Sequence, residues 1–110
     1  MTALEILKAA RKLIEKDENW TQKAPARDEK GIVVYVDSHE ACQWCASGAL
    51  WKIQRGSGHW NSSIGWESEQ AIKKAIKDLF GADSSIPRMN DCKTHQEVLA
   101  VFDKAIASLS

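Results

Sequence analysis

The chain reads as a mainly α protein of the α+β kind, with about four helices around a central small-residue helix and one short β-hairpin. Three observations lead there. Thr2 with Glu5 and Thr94 with Glu97 have the spacing of reciprocal capping boxes, each opening an amphipathic stretch. Residues 41–53 place Ala41, Cys45, Gly48 and Ala49 beside a stripe of Cys42, Ala46, Leu50 and Ile53 at helical spacing. Residues 32–36, Ile-Val-Val-Tyr-Val, are a β-branched run behind a turn-rich link.

In chain order, Leu4, Leu7, Ala10, Arg11 and Ile14 recur every three or four residues and predict a first helix over about 3–17. Trp20 follows, placed to fold back on its last turn. Residues 21–25 and 32–36 predict the hairpin, with the first strand at an edge or beginning after Pro25, which cannot donate to a ladder. Asp37 or Ser38 is positioned to cap the 41–53 helix, Asp37 pairing with Glu40 as a capping box. In that helix the small side chains let another backbone approach, which offsets the roughly 1 kcal/mol that Gly48 costs relative to alanine.

Residues 54–66 are rich in Gly, Ser and Asn and predict a long loop; they match no phosphate-binding spacing. Ala71, Ile72, Ala75, Ile76, Leu79 and Phe80 predict a third helix closed by Gly81, with Lys73, Lys74 and Lys77 on a solvated face. Residues 82–91, which contain Pro87, predict a second loop. A last helix then runs from Thr94 through Val98, Leu99, Phe102, Ile106 and Leu109. Asp103, in an otherwise apolar stripe, is expected to pair with Arg27 or to cap a backbone group. The first and last helices share a frame of matching residues and are expected to pack in comparable ways against the central one.

A length of 110 residues predicts a single domain, residues 1–110. Fifteen basic and fifteen acidic residues cancel, so the uniform field that draws a protein to nucleic acid or anionic lipid is missing. No run approaches the roughly 18 consecutive apolar residues of a membrane span. Three cysteines and no apolar leader argue for a reducing cytoplasm. Five tryptophans favour either a bulky aromatic core or an adhesive surface.

Trp20-Thr-Gln, Ala26-Arg27-Asp28, Cys42-Gln-Trp44-Cys45-Ala-Ser-Gly48-Ala49-Leu50, Asn90-Asp91, Thr94-His95-Gln-Glu97-Val98-Leu99 and Phe102-Asp103-Lys-Ala105-Ile106 together form a pattern. By these residues the chain resembles a family of small bacterial and phage domains of unknown function. The resemblance implies a bacterial, phage or prophage source and a cytosolic accessory role, and it supplies no activity.

Three constellations could carry chemistry. Cys42, Cys45, Cys92 and His95 are two pairs at i, i+3 spacing, the donor set of a closed tetrahedral Zn²⁺ site; the alternative is buried structural cysteines and no cofactor. Cys45 as nucleophile, His95 as base and Asn90 or Asp91 as the orienting group would make a Cys–His enzyme, although Asn90-Asp91 more plainly serves the turn into the last helix. His59, Trp60 and Trp66, with Trp44 or Trp51, would make a contact surface for a protein partner or a second copy of the chain; otherwise the tryptophans are core plugs. A non-enzymatic binding role asks least of the sequence, and it requires Trp60 or Trp66 to be exposed.

Overall fold

The structure, a computed structural model, describes residues 1–59 and 62–110. The described residues form five α-helices, α1 (Ala3–Leu13), α2 (Ala46–Gly56), α3 (Ser63–Phe80), α4 (Ile86–Cys92) and α5 (His95–Leu109). Two short antiparallel strands, β1 (Ala26–Arg27) and β2 (Gln43–Trp44), complete the architecture. The expected class holds: mainly helical, with a small two-stranded hairpin.

Both capping boxes form. Thr2 Oγ1 accepts from the Glu5 N–H while the Glu5 carboxylate accepts from the Thr2 N–H, and Thr94 with Glu97 repeats the arrangement. The core side of α1 is Ala3, Ile6, Leu7 and Ala10; that of α5 is Val98, Leu99, Val101, Phe102 and Ala105. These meet Ile72, Ala75 and Ile76 of α3. α1 is packed against α2, α3 and α5, whereas α2 packs on α1 and α4. The terminal helices therefore do not use α2 in comparable ways: α5 rests on α1 and α3. Asp103 accordingly takes its partner across that helix pair, Arg11 with Nε at 2.6 Å, rather than Arg27. Arg27 instead holds its own loop, donating to Thr21 Oγ1 and to the carbonyls of Gln22 and Gly31.

Several boundaries differ from the sequence reading, each for a local reason. α1 stops at Leu13, and a 3-10 turn, Asp17–Asn19, follows. The small-residue helix, expected at the centre that α1 in fact occupies, starts at Ala46, not near residue 41, because residues 42–44 are drawn into a ladder: Cys42 N–H donates to Arg27 O, and β2 pairs with β1. Asp37, Ser38 and Glu40 thus lie well before the helix and do not cap it. Cys45 takes that place, its Sγ accepting from the Gly48 N–H at 3.2 Å. The partner of β1 in the hairpin is β2; residues 32–36 touch β1 only through an antiparallel bridge between Arg27 and Val33.

The Gly-rich connection is shorter than expected. α2 runs to Gly56, and α3 begins at Ser63, where the Ser62 hydroxyl caps the Gly65 N–H. Gln54, buried on α2, ties the two helices by donating to Gly65 O and Ser68 Oγ. Gly81 closes α3 at φ 73°, the left-handed conformation that a C′ glycine accepts without penalty. Residues 82–91, read as a loop containing Pro87, hold most of the helix Ile86–Cys92: Ser85 caps the start, and proline is favoured in a first turn, where its missing N–H would have had no helical partner anyway.

Candidate functional site

The motif residues scattered along the sequence converge on one corner. Asn90 of α4 is fully buried there. Its Oδ1 accepts from the Trp20 indole N–H at 2.7 Å and from the backbone N–H of Ala46, the first residue of α2, at 3.0 Å. Its Nδ2 donates to Thr21 O at 3.0 Å. Gln22 Nε2 donates to the carbonyls of Asn90 and Lys93, and the Asp91 carboxylate accepts from the Lys23 N–H, holding that residue at a φ of 65°. His95, buried at the start of α5, has Nε2 2.7 Å from Ile14 O; a carbonyl only accepts, so this nitrogen carries the proton. The Trp20 ring lies tilted against the imidazole at 5.1 Å. One amide thus joins the segment after α1, the start of α2 and α4, and His95 ties the start of α5 to the end of α1. Among the described residues no buried side-chain N or O lacks a partner. The corner is a satisfied polar network, and its function is to hold the elements in register.

Above the same small-residue face the chain crosses closely. Pro25 O accepts from the Cys45 N–H at 3.2 Å and sits directly over Gly48. Beyond Pro25 a groove of about 680 Å³ opens, lined by Val33, Val34, Tyr35, Val36, Trp51 and Arg55 among others. Its walls are mostly hydrocarbon. Val36 turns inward and is buried, and the Trp44 indole N–H donates to its carbonyl. Tyr35 turns outward and is 86% exposed. At one end Arg55 Nε meets the Asp37 carboxylate at 3.2 Å.

Residues 1–108 match the Family of unknown function (DUF6197). The chain belongs to this family. Neither the curated proteins nor the solved structures yielded a match.

The DUF6197 chain arranges the three candidate constellations differently. Cys42 is half-buried, Cys45 buried and Cys92 exposed. Among the described residues no three His, Cys, Asp or Glu side chains form a group that could hold a metal ion. As parts of a Cys–His pair, Cys45 and His95 are both otherwise engaged: the sulfur caps α2, and the imidazole holds Ile14 O. Burial pushes the Cys45 thiol above its ordinary pKa, against the opposing pull of the Gly48 and Ser47 backbone N–H groups. Asn90 and Asp91 face Trp20, Ala46, Thr21 and Lys23, not the imidazole.

Thiol labelling should reflect this. In the native protein iodoacetamide is expected to modify Cys92 first and Cys42 slowly, with Cys45 reacting only after denaturation; peptide mapping reads the order. A Cys45 that labels as fast as Cys92 in the folded chain would contradict the sealed cap.

Of the proposed contact residues, Trp60 lies outside the described residues. His59 is half-buried and closes the corner between α2 and α3, its N–H donating to Gln54 O and its carbonyl accepting from the Ser62 hydroxyl. Trp66 is 63% exposed, on the first turn of α3 rather than in a loop, and so meets the exposure that the binding reading required. Sequence reasoning missed Val33 and Tyr35 as surface residues because a β-branched run was assigned a place in the hairpin. The run carries no signal for that exposure, since apolar residues at every position of 32–36 ordinarily mark a strand buried on both faces.

Proposed function

We propose that the chain is a small non-enzymatic accessory protein of the bacterial or phage cytoplasm that acts by contacting another protein. The observation that supports this is the display of large apolar side chains: Val33, Tyr35 and Trp51 around the groove, the neighbouring Ile32, and Trp66 on α3. Adjacent exposed apolar residues around a concave surface mark interaction sites more often than inert surface. Balanced charge supports a protein partner over nucleic acid, whose phosphates demand a basic face. Among the described residues no helix is long and apolar enough to cross a membrane.

A photo-cross-linking amino acid placed at position 35 or 66 should trap a discrete protein in source cells, whereas the same probe at the exposed Lys104 should not. Trp66→Ala is expected to change folding stability by about 0.5 kcal/mol or less, as exposed substitutions do. If it contributes a hot-spot contact, the same change weakens association by about 2 kcal/mol or more. Equal cross-linking at all three positions, or a sharp fall in melting temperature for Trp66→Ala with association untouched, would defeat this reading.

A further inference from the structure

We propose that the surface around residues 32–36 pairs two copies of this chain, edge to edge and antiparallel, about a two-fold axis. This rests on the accessory reading above and names the partner as a second copy. The bridge between Arg27 and Val33 is made by Val34 N–H donating to Ala26 O and Asp28 N–H donating to Ile32 O. Successive residues of an extended strand direct their backbone groups to opposite edges, so the N–H and C=O of Val33 and the N–H of Tyr35 point away from β1. Among the described residues none of these three groups has a hydrogen-bond partner. Edges of this kind are ordinarily blunted by proline, lysine or an inward charge, and residues 32–36 contain none of them.

The edge suits its own copy. With Val33 opposite Val33 of the second molecule, each N–H meets the other's carbonyl about the two-fold axis, and the Tyr35 carbonyl, which accepts from Ser38 N–H, is not needed. Ile32, Val33, Tyr35 and Trp51 are 59%, 56%, 86% and 37% exposed. With ~150–250 Å² for a whole aromatic side chain, that is on the order of 500 Å² per copy. Complete burial of all four on both copies would come to about 1,000 Å², the lower bound of a specific interface, so the pair is expected to be a weak, concentration-dependent one. Two copies of zero net charge do not repel, and the Arg55–Asp37 pair leaves the end of the groove neutral.

Sedimentation equilibrium of the full chain from about 1 μM to about 1 mM spans the affinities such an interface allows. The expected result is a concentration-dependent dimer, with its dissociation constant raised at least tenfold by Tyr35→Lys, which sets like charges near the axis. Val33→Pro, which removes an outward N–H, should do the same. Amide exchange in the unmodified chain gives a readout independent of any variant: Val33 and Tyr35 should exchange at least tenfold more slowly at the high concentration than at the low one. Monomer mass at every concentration overturns the proposal, and so does a dimer in which exchange at these amides is unchanged. A monomeric chain that still cross-links a different protein through position 35 overturns self-pairing alone, while equal cross-linking at the control position defeats the wider reading.

Discussion

Gly48→Ala should destabilise the protein by about 3 kcal/mol, although alanine is the better helix former by roughly 1 kcal/mol. A Cβ added to Gly48 would collide with Pro25 O and stand 2.8 Å from Pro25 C and 3.1 Å from Pro25 Cα. All three are backbone atoms, so no rotamer change relieves the contact. Moving Pro25 away would pull on the Cys45 N–H that it accepts from and on Ala26, the first residue of β1, which pairs with Trp44. Gly56→Ala is the internal comparison: it lies on the same helix with nothing within 4 Å of the place its Cβ would take, and should be neutral or stabilising by up to about 1 kcal/mol. Urea unfolding of the two variants decides the matter. Equal stabilities would mean that the chain crossing at Pro25 is not a close one.

Asn90→Leu should cost about 3 to 4 kcal/mol, for a different reason. Leucine fills similar space but leaves the buried Ala46 N–H and the half-buried Trp20 indole N–H without their acceptor, and Thr21 O without its donor. Each unsatisfied buried group costs roughly 1 to 3 kcal/mol. Trp20→Phe removes one of those donors, so the double variant should be less destabilised than the sum of the singles, and the difference measures the coupling through the network. Strict additivity in denaturant melts, or a loss below about 0.5 kcal/mol for Asn90→Leu, would show that the amide does not organise this corner.

The helices were legible wherever a periodic apolar face met a cap written in adjacent residues. Thr2 with Glu5, Thr94 with Glu97 and Gly81 are all local signals, because a cap is satisfied by backbone groups within one turn. The small-residue character of the 46–50 stretch was also legible, and so was the expectation that another backbone crosses it. Which backbone crosses it was not: Pro25 lies more than twenty residues away, and nothing near Gly48 in the sequence names it.

The same division separates the candidate sites. Cysteine and histidine spacing suggested ligands or a catalytic pair, yet spacing says only which residues could share a helix face. Folding gave Cys45 to the α2 cap and His95 to Ile14 O. Asn90-Asp91 could be recognised as a motif, but its meaning lay in long-range bonds to Trp20, Thr21 and Ala46 that no local pattern encodes. By itself the sequence determined the helical class, the capping boxes of α1 and α5, the Gly81 end of α3 and the small-residue face, since each depends on neighbours within a turn. Only the tertiary structure decided that residues 32–36 show Tyr35 to solvent while hiding Val36, because a β-branched run has no preferred face until β1 takes one edge and α2 walls the other side.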